Sequence, residues 1–224
     1  MITEEHIRLF NRFLNLCEND NGSPENDYKS VYRYRDGNGG RRQVTLGKGF
    51  TEDGGNLARV LEAYFANGGN SAELKAKRSK VGAGTLASDD AFCKALSAAG
   101  AEPAMQRAQD KVFRDAYLGP AIAWAEREGF NQPLSYAVAV DSYLHSGKMS
   151  QHLRDRFSEV TPRAGGDEKA WMRAYCRERM AWFQRSTGPL KTCVFRPKFF
   201  LEQMDAGNWS FSCPLRIAEK GKIC

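Results

Sequence analysis

Residues 134–144 are the most apolar stretch of the chain, and they carry one acid. The run reads Leu-Ser-Tyr-Ala-Val-Ala-Val-Asp-Ser-Tyr-Leu. Its length and composition predict a helix that crosses the core. It is too short to span a bilayer, and no run of about 18 apolar residues occurs elsewhere, so no membrane contact is expected. Asp141 sits inside this helix. A buried carboxylate without a partner is costly, so a basic side chain from elsewhere in the chain must reach it. That demands a sizeable core, which 224 residues can supply.

Other segments follow the same helical period. Ile7, Phe10, Phe13, Leu14 and Cys17 share one face over residues 3–18, with Thr3 as a candidate N-cap. Leu57, Val60, Leu61 and Tyr64 form another face, and Phe92, Leu96 and Ala99 a third. Residues 101–130 read as a helix broken near Gly119-Pro120, residues 167–184 as a long helix, and residues 195–204 as a last one. Residues 19–27 are a loop by composition. Residues 28–34 alternate, residues 43–46 form a second short strand, and Asp36-Gly37-Asn38-Gly39-Gly40 between them is a hairpin signal. The expected class is mainly α (α+β) with one small N-terminal β-hairpin. The polar, Gly-rich stretch 69–84 is a candidate hinge between two lobes of one domain spanning 1–224. One lobe would be about 19–68, the other the first helix with about 85–224.

Composition narrows the function classes. Hydrophobic residues make up 42% and charged residues 27%, ordinary for a globular protein. The start, Met1-Ile2-Thr3-Glu4-Glu5, has no basic and apolar export signal. The protein is expected to stay in the cytoplasm, to have lost a signal, or to leave by another route. The net charge of +6 suits an anionic polymer, such as peptidoglycan or nucleic acid. No nucleic-acid-binding motif accompanies it, so nucleic acid is not an expected partner. Six cysteines form no CxxC pair and only three histidines are present, which argues against a structural zinc. Cys193 with Cys213 is a plausible disulfide, with buried free thiols as the alternative.

Two acids flank residues 17–50: Glu18 closes the first helix and Asp36 opens the hairpin turn. With the elements in order around them, the chain resembles the chitosanases of glycoside hydrolase family 46, in the lysozyme-like superfamily. The resemblance rests on Glu18-Asn19, Asp27-Tyr28-Lys29, Tyr32-Arg33-Tyr34, Asp36-Gly37, Thr45 and Gly49-Phe50. It continues through residues 108–117, Pro120-Ala121, residues 135–145 with Asp141, and Gly165-Gly166-Asp167-Glu168 with Arg179. It ends on Phe199-Phe200-Leu201 and Ala206-Gly207-Asn208.

The resemblance implies a two-lobed helical fold whose hairpin lines a cleft, and an inverting glycosidase needing no cofactor and no metal. Glu18 would be the general acid, Asp36 the base and Thr45 the holder of the attacking water. The acid must keep its proton near neutral pH, and Leu14, Leu16 and Cys17 give it an apolar setting. A longer stretch separates Asp36 from Thr45 than in the family, and Asp27 is the other Asp close enough to serve. Tyr34, Arg42 and Asn56 are the expected substrate contacts. Asp141 would pair with Arg179, and Arg196 or Lys198 would complete a network behind Glu18. His145 reads as structural.

Where chitosanases carry an Asp that grips an ammonium, this chain has Asn56, whose amide suits an N-acetyl group. With the basic charge, this favours a monomeric muramidase cutting the β-1,4 bond of peptidoglycan strands. Such an enzyme would act in the periplasm or cell wall, delivered as a secretion-system effector with an immunity protein as partner, or as a phage lysin. A chitosanase and a non-catalytic glycan-binding domain are the alternatives.

Overall fold

The computed structural model describes residues 2–18 and 23–224; Asn19 and the first part of the expected 19–27 loop lie outside them. The chain divides into two compact units, one of Met1–Pro24 with Tyr117–Cys224, the other Glu25–Ala116.

The first unit is helical. Helix α1 (Glu4–Glu18) buries Phe10, Phe13, Leu14 and Cys17 of the expected face and adds Leu9 and Leu16, while Ile7 is half-buried. Phe13 lies against Phe199 and Phe200 of α10 (Phe195–Asp205), with ring centroids 5.0 and 4.9 Å apart. Helix α7 (Pro133–His145) has every residue from 134 to 142 buried. A helix apolar all round has to be enclosed by neighbours. One neighbour is α9 (Glu168–Arg185), whose N-cap Asp167 accepts from the Ala170 N–H at 2.7 Å. Glu168 accepts from the Gln132 N–H at 2.8 Å and so ties the start of α9 to the start of α7. Trp171 of α9 gathers Trp124 of α6 (Gly119–Arg127), Phe130, Phe157 and Tyr175, all within 5.7 Å between centroids. A short helix, α8 (Gln151–Arg154), buries Leu153.

The second unit holds the hairpin. Strands β1 (Val31–Tyr34) and β2 (Gln43–Leu46) pair antiparallel, with Tyr34 opposite Gln43 and Tyr32 opposite Thr45. A third strand, β3 (Phe50–Thr51), extends the sheet in the order β1-β2-β3. The same unit holds α2 (Leu57–Ala66), α3 (Ala72–Lys77), α4 (Asp90–Ala99) and α5 (Pro103–Phe113), of which α2 and α4 touch the sheet. Tyr28 is pinned to α5: its hydroxyl donates to Asp110 at 3.0 Å, and its carbonyl accepts from Gln109 at 2.9 Å.

Three expectations need correction. The stretch 69–84 is no hinge: it lies inside the second unit and contains α3 and a 3-10 turn, Arg78–Lys80. Ser71 caps α3 at the Leu74 N–H, so a polar stretch that reads as a linker is an ordered helix start. The helix break comes earlier than Gly119-Pro120, as a π-helical turn at Arg114–Leu118 where the chain passes from one unit to the other.

The disulfide joins Cys213 to Cys224, not to Cys193. Strands β4 (Arg216–Ile217) and β5 (Gly221–Lys222) form a hairpin that returns Cys224 beside Cys213, with Cα atoms 5.9 Å apart. Cys193 sits in the 3-10 segment Gly188–Val194, its Sγ 3.2 Å from His145 Nε2. Cys17, Cys93 and Cys176 are buried free thiols. Closing this short loop stabilises by about 2–3 kcal/mol, so a Cys213→Ser/Cys224→Ser variant is expected to lose about that much unfolding free energy and to melt at a lower temperature. Thiol titration of the unfolded, unreduced chain is expected to count four groups, matching the four free cysteines.

Candidate active site

Four of the expected residues form one ion network in the first unit. Asp141 is 0% exposed, Arg179 0% and Arg196 2%. Arg179 Nη1 donates to Asp141 Oδ2, and Arg196 Nη1 donates to Asp141 Oδ1 at 2.5 Å. The other arm of Arg196, Nη2, donates to Glu18 Oε1. Arg179 Nε is taken by Ser146 Oγ at 3.0 Å. Burial alone would push the Asp141 carboxyl up, but the two guanidiniums outweigh it and hold it below its usual range. Burial likewise works against the Arg196 charge; Glu18, Cys17 and Asp141 overcome it and raise its value well above the usual one.

Lys198 is outside this network and pairs with Glu219 at 2.9 Å on the surface. His145 is lowered well below 6.5, first by burial and then by Arg196 and Arg179, so it stays neutral. Glu18 ends α1 with its side chain 22% exposed, and among the described residues only its Oε1 is engaged by a protein group.

The other expected residues lie in the second unit. Asp36 is exposed and accepts one hydrogen bond, from Gln43 Nε2 to Oδ1 at 3.0 Å. Asp27 is used up locally: Oδ1 takes the N–H groups of Lys29 and Ser30, both at 3.0 Å, and Oδ2 takes the Ser30 hydroxyl. That is an Asx turn, a structural use of the carboxylate. Thr45 is 7% exposed, and among the described residues its buried hydroxyl has no hydrogen-bond partner. Tyr34 is 47% exposed and stacks on Tyr32 at 5.4 Å. Arg42 Nε reaches the Arg33 carbonyl at 3.4 Å. Asn56 precedes α2 as its N-cap residue, and its side-chain oxygen accepts from Arg59 Nη1 at 3.0 Å.

The long stretch between Asp36 and Thr45 has a local explanation. The extra residues form a 3-10 turn, Asn38–Gly40, in which Gly39 and Gly40 have φ of +68° and +74°. Such angles favour glycine. Thr45 therefore keeps its place in β2 opposite Tyr32. Sequence reading missed what holds this turn. The Asp53 carboxylate takes the Asn38 N–H at 2.8 Å and Arg41 Nε at 3.0 Å, and Arg41 Nη2 reaches both Asp53 and the Gly82 carbonyl. Nothing in a Gln or an Asp read alone marks this brace. The one visible signal is Gly37: a Cβ there would lie 2.6 Å from Asp53 Oδ2.

Comparison with known proteins gives the family and the fold. The family described as glycosyl hydrolase family 46 matches residues 13–215. No curated protein matches the sequence. Among solved structures, a native chitosanase from Bacillus subtilis superposes with a TM-score of 0.82 at 22% identity, covering 99% of this chain and 98% of that one. A mutant of that chitosanase complexed with 6 GlcN gives 0.78 at 22% identity, over 99% and 98% of the two chains. A family 46 chitosanase from Gynuella sunshinyii, in complex with chitotetraose, gives 0.82 at 18% identity over 97% and 96%. At such identities the structural likeness is one of fold, and it is the α-rich, lysozyme-like fold expected from the sequence. With the family match running from α1 past the last long helix, the chain belongs to glycosyl hydrolase family 46 and is a glycoside hydrolase.

Proposed function

We propose that this glycoside hydrolase cleaves β-1,4 bonds of chitosan with inversion, using Glu18 as general acid, Asp36 as base and Thr45 to hold the attacking water. The observation that carries the assignment is the buried Asp141–Arg196–Glu18 relay. It spends two core arginines and a core aspartate on fixing one helix-end carboxyl. Arg196 occupies Oε1 and leaves Oε2 to give its proton to the leaving oxygen. Asp141 shares the charge of Arg196, so Glu18 does not face a whole unpartnered guanidinium. Asp36 is favoured over Asp27 as base because Asp27 is consumed by its turn. The role of Thr45 follows from the family resemblance; its hydroxyl is buried here and, among the described residues, without a partner. The chitosanase neighbours, one complexed with 6 GlcN and one with chitotetraose, support chitosan over peptidoglycan as substrate.

A second reading, peptidoglycan, draws on the substrate side of the second unit. Asn56 is neutral and faces the Arg59 guanidinium, a poor setting for an ammonium. An open groove of about 380 Å3 beside β1 is lined by Lys29, Arg33 and Lys94, which favours an anionic ligand. With this reading go action on the cell wall after delivery by another route, and an immunity protein as partner. One paired assay separates the two: new reducing ends from chitosan, against turbidity loss of purified peptidoglycan. Reducing ends from chitosan with inert peptidoglycan are expected. The opposite pattern would replace the first reading by the second, and silence on both would favour a glycan-binding role.

A further inference from the structure

We infer that Gln43 is a positioning residue for Asp36, its side-chain amide setting which way the carboxylate of the base faces. The inference rests on the proposed role of Asp36.

The amide can sit only one way. Gln43 Oε1 accepts from the Asp53 backbone N–H at 3.0 Å, and only the carbonyl end of an amide can do so. Nε2 is therefore turned to Asp36 Oδ1, also at 3.0 Å. Gln43 is 4% exposed, so the amide end of both bonds lies out of the solvent, while the Asp36 end is exposed. The far end of the clamp is itself braced, because Asp53 is held by Arg41 and by the Asn38 N–H. Asp36 lies beyond the end of β1, where no ladder bond fixes it, and the turn that follows is lengthened by residues 38–40. Among the described residues, Gln43 is the one side chain that holds it. The amide thus offsets the freedom that a long turn gives a base. Oδ1 is taken and Oδ2 remains for the water.

The test uses two variants of the intact chain on whichever of chitosan and peptidoglycan is cut. Gln43→Glu keeps the acceptor for the Asp53 N–H but removes the donor to Asp36. If Gln43 only braced the hairpin, this variant would match wild type. If it positions Asp36, kcat falls by about 10- to 100-fold with KM little changed, the scale expected when a reacting group is misplaced by about 1 Å. Its deficit against wild type also shrinks at acidic pH, where the introduced carboxyl regains a proton to donate. Gln43→Met removes both bonds without adding charge and is expected to lose kcat as well. Thermal unfolding identifies the folded variants. A wild-type kcat in either folded variant overturns the inference. Asp36→Asn runs beside them: an inactive Asp36→Asn with normal Gln43 variants sinks only the inference, whereas an active one removes the role of Asp36 as base and the inference with it.

Discussion

Glu18→Gln is expected to lose hydrolysis by about 10²- to 10⁴-fold, the contribution of a positioned general acid, while keeping its fold. Gln has the same shape and can still accept from Arg196 Nη2, and Asp141 still faces Arg196 with a full charge. Thermal unfolding should therefore change little. The loss should fall on kcat, because the missing group acts on the leaving oxygen as the bond breaks. A substrate with an acidic phenol as leaving group needs less protonation, so the variant's deficit should narrow there. A Glu18→Gln protein that still cuts the natural glycan at the wild-type rate would remove Glu18 as acid. One that binds glycan normally and never had activity to lose would favour the non-catalytic alternative.

Asp141→Ala is expected to cost about 3–5 kcal/mol of stability, because it leaves the buried Arg179 guanidinium without its counter-ion and Arg196 with Glu18 alone. That is a large share of the roughly 5–15 kcal/mol by which domains are stable, so a deep fall in Tm or failure to fold is the expected reading. Acid should act on the same core in two stages. His145 is held neutral in the folded protein, below its usual 6.5, so unfolding releases a stronger base and stability starts to fall as pH drops through about 6.5. Asp141 is held below its usual range. Its contribution is present above about pH 4, the unfolded carboxylate value, and is lost as pH falls further. A pH series of Tm would show both steps. The second step should be smaller in Asp141→Asn, where Asp53 and Asp89, also held below their usual range by Arg41 and Lys77, still contribute, and a wild-type profile flat from pH 7 to 3 would contradict both.

Much of this was readable beforehand, for physical reasons. An acid inside a helix apolar all round had to find cations, and Asp141 did find Arg179 and Arg196. The hairpin was legible because alternation and a Gly-rich turn are local signals, and so was α1. What failed depended on distant contacts. Residues 69–84 were polar enough to pass for a hinge, yet Leu74 is buried and Ser71 caps a helix. Cys224 meets Cys213 only because two very short strands fold back, too short to show a period. The Gln43–Asp36 bond depends on register across β1 and β2, which no single residue announces. The choice of glycan was weighed on Asn56 and net charge. The solved structures similar to this chain are chitosanases, and the proposal of chitosan rests on them.

Arg196 serves two masters, the electrostatic balance of the interior and the aim of Glu18. Swapping Asp141, Arg179 and Arg196 together for well-fitting hydrocarbon side chains would leave the fold unharmed or even hardier. It would also cut Glu18 loose. Selection for heat resistance alone should therefore drift toward sturdy, inert descendants, whereas demand for catalysis would keep this trio.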